Sequence, residues 1–415
     1  MKNNFYLGIE GELIKTGNRL PVKIGFIGCG SHSFRNILSA LQYIPVELVA
    51  VCDQNEAKAK AYKAKFGAHS AYTSYQEMLE KEELDAVIVV VGYAEDGTPL
   101  YFQIVKDLLE RSMPVWFEKP PARNSEEVRE YIKSEQKGKA FAQVGFKKMF
   151  MPSIRKIQEI IKREEFGKIN SYSMRYPVDL PNDIRDITSA SGRRFIDDFV
   201  HVASSLIALL GRPDYLYYKR NGRGSAVATL IHKNEDVIGT IHLCPGASEM
   251  CPLEQLEITG ENANVCLDNN INIRYYPPSQ RLPYGTTTDF LPNNPNGAQF
   301  FSPEFSLGQL YNKGSFLLGY YHELSYFIDC VSKKKKPQIA GLVDALKVMQ
   351  LYDAFAGKEG TLININECQR LEKISDNLNE FKDPTCPNCQ GRMVLKDGWN
   401  YSCKTCGKMV AASSL

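Results

Sequence analysis

The sequence has 415 residues, which at roughly 150 residues per domain predicts two to three domains. Hydrophobic residues make up 43% and charged residues 24%, so the composition excludes disordered, collagen-like and small disulfide-stapled proteins. The 50 Lys and Arg residues nearly balance the 48 Asp and Glu residues, and a net charge of +2 does not attract nucleic acid or an acidic membrane.

The N-terminus and the cysteines indicate the compartment. Residues 1–20 form a leader with little periodicity and without the long apolar core of a secretory signal. The longest strongly apolar run, 87–91, is far shorter than the roughly 20 residues of a membrane-spanning helix. We therefore expect a cytoplasmic protein with no membrane partner. Seven scattered cysteines have apolar neighbours and fit buried thiols in a reducing compartment: Cys29, Cys52, Cys244, Cys251, Cys266, Cys330 and Cys368.

Residues 21–146 alternate short apolar strands with helices, a pattern typical of a parallel sheet covered on both faces. The unbroken apolar run at 87–91 agrees, because central parallel strands are buried on both sides. The predicted strands are 22–27, 46–52, 85–91, 115–117 and 140–146. The predicted helices are 34–43, 56–66 and 100–111, with another helix before the last strand.

Residues 147–375 have a different pattern, which predicts a second domain built from helices and an antiparallel sheet joined by short turns. Its long segment 277–314, rich in Pro, Asn and Gly, is interpreted as a lid or an interface arm. The predicted helices are 152–164, 199–210, 320–331 and 342–356. The predicted strands are 171–176, 215–219, 226–232, 237–243, 255–259 and 272–276.

A glycine-rich turn after the first strand predicts a dinucleotide site. Gly28 supplies a tight turn, and Gly30 lets the backbone approach a pyrophosphate at the helix N-terminus. Asp53, which ends the second strand, can accept hydrogen bonds from ribose hydroxyls and would repel a 2′-phosphate. The sequence therefore favours NAD over NADP, although a Rossmann-like domain with an unused crevice is the alternative. The remaining predicted contacts of this turn are Ser31, His32 and Ser33, where Ser33 replaces the usual Gly or Ala.

Two further clusters carry residues suited to proton chemistry. Glu118 and Lys119 directly follow the strand 115–117, at the strand end that faces a ligand crevice, although Glu-Lys-Pro alone is more often a surface turn. Asp197 and His201 share a face if their segment is helical, so His201 could act as a base whose tautomer the carboxylate fixes. The alternative is an Asp198 N-cap beside a hydrogen-bonded core histidine.

Taken together and in this order, the motifs resemble the glucose-fructose oxidoreductase/inositol dehydrogenase (Gfo/Idh/MocA) family. The glycine turn is followed by Glu118-Lys119-Pro120, Gln143 to Phe150, Asp197 to His201 and Gly319 to Leu324, with Lys336-Pro337 and Asp344-Ala345-Leu346 after them. The resemblance covers about residues 21–365. It implies a Rossmann domain, then an α+β domain with a large open, mostly antiparallel sheet. Relatives act mainly on sugars, polyols, amino sugars and nucleotide-linked sugars.

The resemblance also implies roles for particular residues. Glu118 and Lys119 belong to the cofactor side of the site, Lys119 contacts the substrate hydroxyl, and Asp197 with His201 forms the acid–base pair. The peptide bond before Pro120 is often cis in relatives. Two positions depart from the family pattern: Phe199 stands where Gly is frequent and Ser204 where Asp is frequent. The serine puts a two-carboxylate proton relay in doubt, and the phenylalanine could reshape the pocket.

Other polar residues are weaker candidates for the substrate pocket. The loop between Arg175 and Arg185 and the adjoining sheet face offer four of them, although solvent-exposed loop residues are the commoner explanation. They are Arg175, Tyr176, Asp179 and Asn182. His322 is either a further pocket residue or a satisfied interior histidine.

The C-terminal residues 380–412 contain paired C-x-x-C motifs with the spacing of a zinc ribbon. Four thiolates at this spacing can surround one Zn²⁺ tetrahedrally, with a hairpin between the pairs, and a closed four-cysteine site is structural. A docking or oligomer contact is favoured over nucleic-acid binding for this module. The predicted ligands are Cys386, Cys389, Cys403 and Cys406.

The sequence thus supports two hypotheses from different classes. The first is an NAD-dependent dehydrogenase acting on CH–OH groups of a small sugar-like molecule. The second is a non-catalytic NAD-binding sensor or scaffold that engages a protein or nucleic acid through the zinc ribbon. Lys119, Asp197 and His201 favour the enzyme, whereas Ser204 favours the sensor. The resemblance further implies a homo-oligomer, either a dimer or a tetramer.

Overall fold

A computed structural model describes residues 21–94, 99–278, 297–303 and 313–366, and short stretches between 388 and 411. The chain divides into two compact units, residues 1–368 and 369–415. The predicted leader and most of the predicted loop 277–314 lie outside the described residues. Among the helices that are described, none is long and apolar enough to cross a membrane.

The first domain is a six-stranded parallel sheet whose strand order reverses at its centre. Its neighbours run β3-β2-β1-β4-β5-β6, so the chain moves outward to β3 and then returns to β4 on the other side of β1. Doubly wound sheets bind ligands in the crevice at such a switch point. The strands are β1 (Val22–Ile27), β2 (Val46–Cys52), β3 (Ser70–Tyr72), β4 (Ala86–Val89), β5 (Val115–Phe117) and β6 (Ala142–Val144).

The helices of this domain include one that the sequence did not predict. That helix, α3, is short and charged and buries Met78 only, and the edge strand β3 was missed because its three residues are half-buried without an apolar run. A π-helical turn over Ser33–Ile37 precedes the first helix. The helices are α1 (Leu38–Leu41), α2 (Glu56–Phe66), α3 (Tyr75–Lys81), α4 (Tyr101–Glu110) and α5 (Ser125–Gly138).

The second domain contains a large, mostly antiparallel sheet, with strands in the order β14-β13-β12-β11-β7-β10-β9-β8-β15. Only the central pair β7 and β10 is parallel among the described pairings of this sheet. This architecture confirms the predicted α/β fold class. The strands are β7 (Ser171–Tyr176), β8 (Tyr215–Arg220), β9 (Ala226–His232), β10 (Val237–Leu243), β11 (Gln255–Thr259), β12 (Asn264–Asp268), β13 (Asn272–Tyr276), β14 (Gln299–Phe301) and β15 (Ile363–Asn364).

The helices of the second domain include α7, which is nine residues longer at its start than predicted. The Ser189 hydroxyl caps it by accepting from the Gly192 N–H, and its first residues, 191–194, carry no apolar side chain that would signal a helix face. The helices are α6 (Pro152–Ile161), α7 (Ala190–Leu210), α8 (Lys313–Leu317), α9 (Tyr320–Ser332) and α10 (Leu342–Ala354).

One face of α7 is fixed by aromatic packing. Phe199 is fully buried, with its ring centre 5.1 Å from that of Phe195 and 5.0 Å from that of Phe355. Large buried aromatic side chains dominate core packing, and this cluster therefore fixes the helix about its axis. Asp197 and His201, on a less buried face of the same helix, are held in place by that packing.

The C-terminal unit contains a three-stranded antiparallel sheet in which β17 lies between its neighbours. The first two strands form a hairpin where the sequence predicted one. They are β16 (Met393–Leu395) and β17 (Asn400–Cys403), followed by β18 (Met409–Ala411).

Candidate active site

The candidate active site lies at the carboxyl ends of the parallel strands, on the switch-point side of the first sheet. Helix α7 faces this edge, since Asp197 accepts hydrogen bonds from Tyr93 and, through its backbone carbonyl, from Lys119. Residues from the first sheet and from the second domain thus meet at one crevice. The loops leaving β1, β2, β4 and β5 carry Gly28, Asp53, Tyr93 and Lys119, respectively.

The glycine turn has the shape that a pyrophosphate needs. Gly28 has φ of 102°, and a Cβ there would lie 2.0 Å from the Val90 carbonyl oxygen, so only glycine fits. Gly30 is exposed, and a Cβ built on it would meet no atom within 4 Å, which leaves its backbone open to a ligand. The buried Ser33 hydroxyl donates to the Gly28 carbonyl at 2.6 Å and closes the turn. Ser31 is exposed beside it.

Asp53 is held beside this turn by two backbone groups. Its Oδ2 accepts from the Cys29 N–H at 2.8 Å, and its Oδ1 accepts from the Asn55 N–H at 2.9 Å. Each carboxylate oxygen retains a further lone pair that could accept from a ribose hydroxyl. The donor set of the crevice therefore fits a dinucleotide, with the open glycine backbone for the pyrophosphate and Asp53 for the adenosine ribose.

Two buried thiols, those of Cys29 and Cys52, lie beside this turn. Burial raises the pKa of both Cys29 and Cys52 to about 12, so each stays a neutral thiol. The prediction of buried cysteines is thus confirmed here and at Cys330, whereas it is wrong for three cysteines that are only half-buried. These are Cys244, Cys251 and Cys266, and Cys368 lies outside the described residues.

Lys119 projects from a buried loop towards α7. Glu118, which precedes it, is only 8% exposed, so the Glu-Lys-Pro segment is not a surface turn. The Lys119–Pro120 peptide bond is cis, as the resemblance implied. The Lys119 ammonium donates to the Asp197 carbonyl oxygen at 3.2 Å and lies 3.9 Å from the Asp197 carboxylate.

Asp197 contacts the first domain and not the histidine that was expected to be its partner. Its Oδ1 accepts from the Tyr93 hydroxyl at 3.1 Å, and no hydrogen bond joins it to His201 within the described residues. Burial raises the pKa of Asp197, while the Lys119 charge opposes this shift. Asp198 lies in the middle of α7, so the alternative in which it caps the helix is wrong.

His201 is a half-buried histidine surrounded by cations. Burial lowers its pKa well below 6.5, and the charges of Lys119, Lys148 and Lys147 lower it further. None of the residues that the structure describes makes a hydrogen bond to its ring. The imidazole is therefore neutral at pH 7, and its ring nitrogens are not engaged by described side chains.

Lys148 and Glu254 form an ion pair near this histidine that the sequence did not assign. Lys148 is 4% exposed, pairs with Glu254 and lies 4.9 Å above the Tyr176 ring centre. Burial lowers the pKa of Lys148. Lys148 lies four residues after the end of β6, in the 3-10 turn Lys147–Phe150, and its place near a strand end that faces the crevice could have indicated it, but no local pattern indicates Glu254.

The four weaker substrate candidates separate in space. Tyr176 lies beside Lys148, whereas the Arg175 guanidinium donates to the Pro252 carbonyl. Asp179 lies against the turn between β8 and β9, where a Cβ on Gly224 would approach the Asp179 Cβ to 2.9 Å. Asn182 is exposed.

His322 and the two residues that depart from the family pattern, Phe199 and Ser204, contact neighbouring protein groups. Burial and the Arg155 charge lower the pKa of His322, whose ring contacts Tyr321. Phe199 packs in the core behind α7, as described above. Ser204 is fully buried and donates to the His201 carbonyl at 3.1 Å, within the helix.

The proposed zinc ligands lie only partly within the described structure. Cys386 and the Cys403 side chain lie outside it, while Cys389 and Cys406 are exposed. Among the described residues there is no group of three or more His, Cys, Asp or Glu side chains that could hold a metal ion. The zinc site therefore stays a prediction from the cysteine spacing.

Comparison with known proteins agrees with the fold. Residues 22–146 match the family model GFO_IDH_MocA, an oxidoreductase family with an NAD-binding Rossmann fold. The chain is 24% identical over 196 residues to D-xylose 1-dehydrogenase (NADP(+)) 2 from Haloferax volcanii, covering 46% of this chain and 58% of that protein. It is 25% identical over 188 residues to dTDP-3,4-didehydro-2,6-dideoxy-alpha-D-glucose 3-reductase from Saccharopolyspora spinosa, covering 45% and 55%. The chain thus spans a little over half the length of these relatives.

A solved structure extends the similarity to both domains. Levoglucosan dehydrogenase in complex with NADH and L-sorbose matches with a TM-score of 0.68 at 13% identity, covering 84% of this chain and 99% of that one. The similarity at this identity concerns the fold. The fold and the crevice define a two-domain protein whose first domain has a Rossmann fold. Within that domain, residues 22–146 are similar to the Gfo/Idh/MocA oxidoreductase family, whose model describes an NAD-binding Rossmann fold.

Proposed function

We propose that the protein is an NAD-dependent oxidoreductase that transfers a hydride between nicotinamide and a carbinol carbon of a sugar, amino sugar, nucleotide sugar or polyol. The observation that carries the proposal is the contact of the Lys119 ammonium with Asp197 of α7, the helix that carries His201 one turn further on, although Lys119 is far from α7 in the sequence. Burial and the Lys119 charge both lower the His201 pKa. The two relatives named above act on a pentose and on a nucleotide-linked sugar, which supports this substrate class.

The bound nicotinamide would supply the hydride chemistry, and the protein would orient the substrate and move the proton. His201, neutral at pH 7, takes the hydroxyl proton during oxidation. The Lys119 ammonium hydrogen-bonds the substrate oxygen and stabilises the negative charge that develops there. The hydrogen bonds of Asp197 with Tyr93 and Lys119 fix the position of Lys119 relative to α7. The Lys119 amine and the His201 imidazole can then both reach the hydroxyl oxygen of the substrate.

Incubating the purified protein and NAD with a panel of sugars, amino sugars, nucleotide sugars and polyols tests this function. Absorbance of reduced nicotinamide should rise with at least one member, and more strongly with NAD than with NADP because Asp53 repels a 2′-phosphate. A Lys119→Ala sample serves as the control for contaminating dehydrogenases. No rise in absorbance with any member of the panel, with NAD still binding, would instead favour the non-catalytic sensor or scaffold.

The C-terminal module is proposed to be a structural zinc ribbon held by four cysteines. The paired C-x-x-C spacing and the three antiparallel strands support it. We expect about one zinc ion per chain by elemental analysis, and the Cys386→Ser variant should lose it. Cys330→Ser, which alters a cysteine outside the module, is the matched control. Zinc retained after Cys386→Ser would contradict this site.

We further propose a cytoplasmic homo-oligomer, either a dimer or a tetramer. Exposed apolar side chains on neighbouring strands of the second sheet support an association surface there, because such clusters on sheets favour contacts between chains. These side chains are Tyr217, Val227 and Ile238.

A further inference from the structure

His32 joins the glycine turn to the loop that carries Lys119. Its Nε2 lies 2.8 Å from Glu118 Oε1, and its Nδ1 lies 3.1 Å from the side-chain amide nitrogen of Asn36. An amide nitrogen donates, so Nδ1 accepts from Asn36 and the imidazole proton resides on Nε2. His32 therefore donates to the Glu118 carboxylate in the neutral imidazole form.

Glu118 transmits this contact to Lys119. Its second oxygen, Oε2, accepts from the Lys119 backbone N–H at 3.0 Å, and the Lys119 side chain reaches the Asp197 carbonyl. Glu118 is only 8% exposed, so water has little access to its carboxylate. The orientation of the carboxylate therefore depends on the hydrogen bonds from His32 and from the Lys119 backbone. The contacts thus form a continuous hydrogen-bonded chain from the first helical turn of the Rossmann domain to α7.

His32 also makes an edge contact with Tyr320 of α9, with ring centres 6.0 Å apart. The Tyr320 hydroxyl accepts from the Lys147 ammonium at 3.0 Å. The ring of His32 is therefore held on several sides, although its side chain remains 41% exposed at the crevice. A side chain held in this way can fix the position of a neighbour without contacting the ligand.

We propose that His32 is a positioning residue, which holds Glu118, and through it the loop of Lys119, in the arrangement that NADH binding requires. This inference rests on the proposed function and extends it, since His32 was expected only to touch the cofactor.

Two substitutions of His32 distinguish the hydrogen bond that Nε2 donates from the space that the side chain fills. In His32→Gln the amide nitrogen reaches the position of Nε2 and can still donate to Glu118, whereas in His32→Asn it reaches only the position of Nδ1. We expect His32→Asn to weaken NADH binding by up to about tenfold, because reordering the freed Glu118 loop on binding would cost at most about as much as the lost hydrogen bond. We expect His32→Gln to stay within about threefold of the wild type. Fluorescence titration of NADH with the full-length protein measures both.

A double-mutant cycle with Glu118→Gln distinguishes coupling from independent contacts. If His32 acts through Glu118, the variant carrying both His32→Asn and Glu118→Gln binds NADH about as weakly as the weaker single variant. The coupling would be overturned if the losses of NADH affinity in the two single variants multiply in the double variant. It would also be overturned if His32→Asn and His32→Gln lose NADH affinity equally. Either result would leave the proposed function intact. Failure of the wild-type protein to bind NADH would overturn both. Thermal unfolding midpoints within about 2 °C of the wild type show that the variants are folded.

Discussion

Replacing Lys119 by Ala is expected to lower kcat for the responsive substrate by about 10³-fold and to leave NADH affinity nearly unchanged. A positioned donor that stabilises charge only as it develops contributes about two to three orders of magnitude to the rate. Cofactor affinity should persist because the glycine turn and Asp53 remain in place. Steady-state kinetics gives the first quantity, and NADH titration gives the second.

Lys60→Ala is the matched control for this substitution. Lys60 is an exposed lysine of the same domain that pairs with Glu56 on the surface of α2, and its loss should leave kcat unchanged. Unchanged turnover in Lys119→Ala would remove this amine from the mechanism. A parallel loss of NADH affinity would instead assign Lys119 to cofactor binding.

The strands near the site could be predicted from the sequence because their burial has a local signature. β1 and β2 have their predicted bounds, since buried parallel strands are apolar on both faces. The edge strand β3 and the start of α7 carry no such signature, and both were missed. Local patterns identify an element reliably only where its burial is strong and regular.

The partners of the site residues could not be predicted, because long-range packing decides them. The four-residue spacing correctly put Asp197 and His201 on one helix, but Asp197 bonds with Tyr93, 104 residues away in the chain. Lys148 likewise pairs with Glu254, 106 residues away. A sequence pattern indicates which residues can do chemistry, whereas the fold determines which carboxylate meets which cation.

The most informative pH measurement concerns His201. Burial and three lysines lower its pKa well below 6.5, so the imidazole stays neutral and able to accept a proton as pH falls through 6.5. We therefore expect kcat/KM for oxidation to decline only at a pH well below 6.5, as His201 becomes protonated. His201→Asn should lower kcat/KM at neutral pH by about 10² to 10⁴-fold, the usual contribution of a positioned base.

Removing the Lys148 charge should move this acidic decline to higher pH. With one cation fewer nearby, protonated His201 is less unfavourable and its pKa rises towards 6.5. The paired variant Lys148→Met/Glu254→Gln avoids leaving a partly buried carboxylate without its partner. The pKa of His201 should still rise in this variant, because Lys148, and not Glu254, is among the charges that act on His201. Lys156→Met, on α6 and not among the charges that act on His201, should leave the profile in place. A decline centred near 6.5 in the wild type, unmoved by the paired variant, would mean that another group accepts the proton.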